Sequence, residues 1–433
     1  MSEIKPPAVP QAPTPRQLLL LAVPALLVGV LSALILWGLD VVAELAEHAI
    51  WHTAPEALGV PDGSRWWIFA ILTLTGAAVG LVVWKLPGHA GADSATTELV
   101  AEPLPLSTLP SLALAVILTL AGGVSLGPEN PIIAINVALS IALVARLAPK
   151  APPALIMAMA TAATIGALFG TPVAAALIFT GVVAGTPGGG ALWDKLFLPL
   201  VAAGAGSITM VMLNQPSLSF ALPAYGTPRA IDLATGALIT AGSLAITMVG
   251  VVALPPLHTF FHRLRNPLVY ATFGGLLLGL LGALGGEITL FKGLNQIGEL
   301  LAHIDDWSVG ALVAFGLIKL AALVVAAASG FRGGRIFPAV FIGVTFGLVG
   351  HQLLPDVPVA LAVACGVLGA VLAVARDGWV SLFVAVAITG QVALLPVLCI
   401  VILPAWLLVS RAPEMLVEHP VKERWRRMLP VRG

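Results

Sequence analysis

Gly127-Pro128-Glu129-Asn130-Pro131 and Gly334-Arg335-Ile336-Phe337-Pro338 interrupt long apolar stretches of this chain with the same Gly-x-x-x-Pro pattern. Proline is tolerated in the first turn of a helix, because its missing N–H would have no intrahelical partner. Pro131 and Pro338 therefore mark helix starts. A polar, proline-rich segment at 214–229 divides the chain into halves, about 17–213 and 230–410, with one break in each. Paired Gly/Pro interruptions at matching places of two halves are the sequence sign of an inverted-repeat transporter. Ordinary interhelical loops that happen to hold Gly and Pro are the plainer alternative.

The apolar surroundings fix the fold class. Apolar residues make up 59% of the chain and charged residues 10%, against about a quarter charged in a soluble domain. Residues 17–39, 66–84 and 232–257 are long enough and apolar enough to cross a bilayer as helices. The alternating ten-residue segments of a β-barrel are absent from the sequence. The expectation is an all-α polytopic membrane protein with tilted and re-entrant helices. Its single membrane domain spans 17–410, between an N-terminal tail, 1–16, and a basic tail, 411–433. Several apolar segments are short, such as 110–121, 131–145 and 337–350. Non-helical backbone at membrane depth survives only where protein or a water-lined cavity covers it.

Basic residues flank the spans: Lys5 and Arg16 before the first, then Arg411, Lys422, Arg424, Arg426 and Arg427 after the last. The loops holding Glu44, Glu47, Glu56 and Asp62, and those around Glu299, Asp305 and Asp306, are acidic. The positive-inside rule then places both termini in the cytoplasm, with an even number of crossings of the plasma (inner) membrane. No cleavable signal is read at the N-terminus. The formal net charge is zero, which suggests no nucleic-acid partner. Cys365 and Cys399 sit in apolar runs and read as small core residues. Gly188-Gly189-Gly190 lacks the Lys-Ser/Thr of a P-loop, and no cofactor motif is read elsewhere.

The breaks predict chemistry. Two helix N-termini converging near the bilayer centre present unpaired N–H groups and partial positive charge. The ligand that fits is a small inorganic anion held largely by backbone donors. Glu129 lies inside the first break, and an ionisable residue there is a functional candidate by default. It can compete with an anion for the same N–H groups, or take up a proton and swing away. Capping a helix start is its bland role, and the two are compatible.

These residues resemble the CLC family of chloride channels and proton-coupled anion exchangers. Gly127-Pro128-Glu129-Asn130-Pro131 is similar to the family's Gly-Lys/Arg-Glu-Gly-Pro, with Glu129 at the gating glutamate. Leu168-Phe169-Gly170-Thr171-Pro172-Val173-Ala174-Ala175 is similar to its Phe-Asn-Ala-Pro-Leu-Ala-Gly stretch. Ser329-Gly330-Phe331-Arg332-Gly333-Gly334-Arg335-Ile336-Phe337-Pro338 is similar to its Ser-Gly-x-x-Gly-Gly-x-Phe-x-Pro. Order, spacing and hydropathy agree from about residue 70 to 415. The resemblance implies a homodimer in the lipid bilayer, one anion path per subunit, two inverted repeats, and an anion held between the backbone amides of Gly127–Asn130 and Gly334–Phe337. Chloride is the default ion.

Departures from the family pattern shift the expected mechanism. Asp93 stands where the family's anion-binding serine falls, with Ser94 one place later. Met415 stands at the anion-binding tyrosine, and no tyrosine follows Tyr270. Position 128 is proline instead of a cation, Arg335 is a new cation, and Phe337 lies one place late. Thr180-Gly181-Val182-Val183 offers no inner proton-carrying glutamate. Strict proton coupling is therefore not expected, and bicarbonate, or less so fluoride, joins chloride as a candidate. Asp93 is expected to pair with Arg335, to accept from a protonated anion such as bicarbonate, or to cap a helix start away from the ion. His258 and His262 have metal-like i, i+4 spacing without a third ligand nearby in sequence, and read as an interfacial face beside Arg263 and Arg265. No nucleophile–base constellation supports an enzyme. A transport-inactive scaffold subunit is the remaining rival.

Overall fold

Long apolar runs punctuated by Gly and Pro leave the chain one way to satisfy its backbone in lipid, which is helix after helix. The structure, a computed structural model, describes residues 15–98, 103–147, 152–184, 191–214, 218–354 and 356–417. Sixteen α-helices follow in order among them. The first eight are α1 (Pro15–His48), α2 (Ala54–Leu58), α3 (Arg65–Lys85), α4 (Leu109–Ala121), α5 (Glu129–Leu147), α6 (Pro153–Phe169), α7 (Pro172–Ala184) and α8 (Leu192–Met212). The second eight are α9 (Ala230–His262), α10 (Pro267–Gly285), α11 (Leu294–Ala302), α12 (Val309–Ala328), α13 (Ile336–Leu353), α14 (Val359–Ala375), α15 (Gly378–Thr389) and α16 (Leu395–Val409). No strand forms among the described residues, only one isolated bridge, Gly127 to Gly334.

Nine described helical segments are long and apolar enough to cross a membrane, among them Leu19–Leu58, Arg65–Lys85 and Ala230–His262. These overlap the three spans read from the sequence. The protein is a multi-pass membrane protein. Leu106–Ala121, Pro153–Phe169, Val359–Ala375 and Gly378–Thr389 are apolar but shorter. The first span is longer than expected. It runs helically through Glu44 and Glu47 to His48, and a π-turn at Ala49–Thr53 leads into α2. Glu44 and Glu47 are thus helical residues, not loop residues. Pro131 and Pro338 lie in the first turns of α5 and α13, as the break pattern predicts. Cys365 is buried, but Cys399 is exposed on α16, contrary to its reading as a core residue. Lys5 and the basic residues Lys422, Arg424, Arg426 and Arg427 lie outside the described residues, as does Gly188-Gly189-Gly190.

By internal contact the chain forms two compact units. One comprises Met1–Gly38 and Asn136–Leu218, the other Leu39–Ile135 and Ser219–Gly433. Within the first, α6 packs on α7 and α8. Asn136 is wholly buried there and donates to the Ser32 carbonyl and the Thr164 hydroxyl. Within the second, α3 packs on α10, and α14 packs on α9 and α13. From Ala360 to Val374 every residue of α14 is buried, as expected of a helix apolar on all sides. Both breaks lie in this second unit.

The second unit also buries the cation of α12, whose hydrogen bonds all go to backbone carbonyls. Lys319, in α12, is wholly buried, and its ammonium donates to the carbonyls of Thr289, Leu290 and Phe291 at 3.1, 2.7 and 2.6 Å. Phe291 N–H in turn donates to the Gly123 carbonyl, and the Ser125 hydroxyl to the Thr289 carbonyl. Three donors on one ammonium thus tie α12 to Thr289–Phe291, which in turn bonds the segment that leads into the first break.

Candidate functional site

The two breaks meet. Gly127 N–H donates to the Gly334 carbonyl at 2.9 Å, and Gly334 N–H returns the bond to Gly127 at 2.6 Å. This bridge sets the N-terminus of α5 beside that of α13. It also uses up two of the N–H groups expected to hold the anion, so Gly127 and Gly334 frame the site through their backbone and do not offer donors. Pro128 has no N–H, and its carbonyl accepts from Ile132.

Glu129 lies between the two glycines and is 1% exposed. Its Oε1 accepts from Phe337 N–H at 2.9 Å, in the first turn of α13. Its Oε2 is buried with no hydrogen-bond partner among the described residues. A Cβ on Gly127 would stand 2.2 Å from that oxygen, and one on Gly334 would stand 2.0 Å from it. Both glycines are therefore required for the carboxylate to lie where it does. The side chain thus holds a backbone N–H at the start of α13 and caps that helix.

The loop Asp93–Thr97 packs against both breaks. The Ser94 hydroxyl, 1% exposed, lies 3.1 Å from the Phe331 carbonyl and 2.7 Å from the Gly333 carbonyl. Its single hydrogen is spent on these acceptors, so Ser94 is a strut to the second break. The Thr97 carbonyl accepts from the Asn130 amide at 3.2 Å and from Arg335 at 3.0 Å. Arg335 also donates to the Met415 carbonyl. Met415 is 1% exposed, and its backbone carbonyl is the acceptor Arg335 uses. Val417 N–H donates to the Ala95 carbonyl. Ile336 and Phe337 are buried at the start of α13.

Asp93 does not pair with Arg335. Its Oδ1 accepts from the Thr96 N–H and hydroxyl at 3.1 and 3.0 Å, and its Oδ2 lies 3.0 Å from His258 Nε2 and 3.3 Å from His262 Nε2. Burial pushes the Asp93 carboxyl up, but the two imidazoles at its oxygen and the charge of Arg332 outweigh it and hold the group well below the usual carboxylate range. Arg335 turns instead to carbonyls, because the folded loop presents Thr97 and Met415 to it. The histidine pair, read from sequence as lacking a third ligating group, gains one in Asp93 across 165 positions of sequence.

Arg332 was not singled out from the sequence. Its guanidinium donates to the carbonyls of His89, Ala90, Gly91 and Gly330. A cation enclosed by Gly330, Gly333 and Gly334 was the available signal.

Comparison with known proteins bears on the family and the fold. Residues 75–410 match the voltage gated chloride channel family. The chain is 48% identical over 414 residues to the YfeO ion-transport protein of Escherichia fergusonii, itself assigned that role only provisionally, covering 95% of this chain and 98% of the relative. The same identity and coverage hold for YfeO of Escherichia coli K12. Among solved structures, a slow cyanobacterial Cl−/H+ antiporter superposes with a TM-score of 0.75 at 16% identity, covering 95% of this chain and 98% of that one. A CLC-type fluoride/proton antiporter superposes at 0.71 and 20% identity, covering 93% and 98%.

Proposed function

Since the chain belongs to the voltage-gated chloride channel family, we propose that it moves a small monovalent anion, chloride first, along a path that Glu129 closes. The observation that carries this reading is the Glu129 carboxylate between Gly127 and Gly334, with its oxygen on Phe337 N–H. A negatively charged side chain fills the helix terminus best suited to an anion. Proton uptake removes its charge and its hold on that N–H, and frees the donor for the transported ion. The protein works as a homodimer in the plasma membrane with both termini cytoplasmic, a topology supported by the basic residues flanking the first and last spans. Bicarbonate would need an open acceptor at the ion. Both Asp93 oxygens already have partners, so chloride is the ion carried forward. Anion flux in proteoliposomes, with chloride, nitrate, fluoride and bicarbonate in turn, tests the reading. Robust flux of chloride supports it. Bicarbonate flux without chloride flux overturns the ion, and no flux of any anion makes the chain a scaffold.

Proton coupling is expected to be absent or slight. The segment Thr180-Gly181-Val182-Val183 carries no carboxylate, and the Thr180 hydroxyl donates within its own helix to the Ala176 carbonyl at 2.7 Å. A chloride gradient should drive no uphill proton movement in proteoliposomes. A fixed anion-to-proton ratio would reveal another proton carrier and refute this expectation.

The glycine frame supplies a second test of the gate. The three atoms nearest a Cβ at Gly127 all belong to the Glu129 carboxyl group. Gly127→Ala should therefore fold and expel that carboxyl, giving the flux of Glu129→Ala with no mutation at the gate. The double variant should add nothing to either single change, since both act through one group. Wild-type flux and pH dependence in Gly127→Ala would show that the carboxyl does not block the path.

A further inference from the structure

Asp93, His258 and His262 take no part in the gate, yet their ligating atoms all lie within 4.8 Å of one another. His258 and His262 stand one turn apart at the end of α9, the spacing that puts two imidazoles on one helix face. Their rings stack with centroids 3.8 Å apart. Both Nε2 atoms approach one oxygen, Asp93 Oδ2, at 3.0 and 3.3 Å. In a tetrahedral zinc site with bonds of about 2.0–2.2 Å, ligand atoms lie roughly 3.3–3.5 Å apart. An ion between the three groups needs only small side-chain shifts.

The ring orientation is informative on its own. His262 Nδ1 lies 2.9 Å from the His258 carbonyl, which can only accept, so Nδ1 carries the hydrogen. The neutral ring then has its lone pair on Nε2, facing a carboxylate oxygen. Two acceptors facing each other repel unless a proton or a metal cation lies between them. The other Asp93 oxygen is fixed by Thr96. Outer hydrogen bonds of this kind orient metal-ligating imidazoles and carboxylates. The C-terminal end of α9 adds the negative end of a helix dipole.

Arg332, Arg335 and Tyr270 also lie within electrostatic reach of the cluster. Tyr270 stacks on His262 at 4.7 Å. The Arg332 guanidinium is directed at four carbonyls and makes no bond to Asp93. Its field opposes a hard cation bound by charge alone, such as calcium or magnesium. A borderline metal bound through nitrogen depends less on net charge.

We infer that Asp93, His258 and His262 form a three-ligand site for a zinc-class divalent transition metal, with water as fourth ligand, clasping the end of α9 to the Asp93–Thr97 loop. The full-length protein without an affinity tag, desalted after zinc loading near neutral pH, should carry about one zinc per chain by elemental analysis. Magnesium in excess should not displace it. His258→Gln and His262→Gln should each weaken binding by about tenfold or more, and the double variant should abolish it. Cobalt(II) on the unmutated protein should give the visible bands of a four- or five-coordinate nitrogen/oxygen site, a readout independent of any variant's folding. Zinc bound undiminished by the double variant would place it elsewhere, as an adventitious ion only, and overturn the assignment. An absent cobalt spectrum would reduce the cluster to a protonated ion pair, which also overturns it.

Discussion

Glu129→Gln should raise anion flux above wild type at neutral pH and flatten its pH dependence, and Glu129→Ala should do so more strongly. The wild-type carboxylate holds Phe337 N–H through a charge-assisted hydrogen bond, worth about 1.5–3 kcal/mol. At about 1.4 kcal/mol per decade, its loss frees the donor by roughly tenfold to a hundredfold. Glutamine keeps the shape and a weaker acceptor, so its effect sits at the lower end. Alanine removes both. The sign with pH follows from the charge. Protonation neutralises the side chain, so wild-type flux should rise as pH falls, while both variants should stay high throughout. Chloride efflux from proteoliposomes across a pH series measures this. Variants that match wild type in rate and in pH profile would remove Glu129 from the path.

Much of this site was legible in the sequence because its signals are local. Gly-x-x-x-Pro writes a helix start and a close backbone approach into five residues, and Glu129 is the acidic residue within either break. The pairing of Gly127 with Gly334 follows once two such starts face each other. What was not legible depends on partners far apart in sequence. Asp93 had a nearby-looking cation in Arg335, and only the folded loop shows that His258 and His262 take its oxygen instead. Ser94 carried the chemistry of an ion ligand but spends its hydrogen on backbone carbonyls. The division into units was hidden for a different reason. Helices α1 and α5 each run from one unit into the other, and no change of composition marks the crossing.

Arg332→Lys should lose most in stability, although it keeps the charge. The loop it holds is built against the intrinsic preference of its residues. Gly88, His89, Ala90 and Gly91 have φ of 77°, 52°, 55° and 63° in succession. Glycine takes that region freely, but for His89 and Ala90 it costs roughly 1–2 kcal/mol each. The run turns three consecutive carbonyls toward Arg332, which joins them to the Gly330 carbonyl at the approach to the second break. A planar guanidinium serves acceptors spread around its rim, while an ammonium offers three donors from one point. Lysine therefore leaves at least one of four carbonyls without a donor, at about 1–3 kcal/mol each, and loosens the strained run besides. Desolvation acts in the same direction, because an ammonium is more strongly hydrated than a guanidinium. Expected is a lower unfolding temperature and a smaller monodisperse yield for Arg332→Lys, with a further drop for Arg332→Met, which removes every donor. The loop's own strain supplies the control. Ala90→Gly relaxes the left-handed backbone without touching a side-chain hydrogen bond, and should recover part of the loss in the Arg332→Lys background. Equal stability of wild type and Arg332→Lys would mean that the loop holds its shape without the guanidinium.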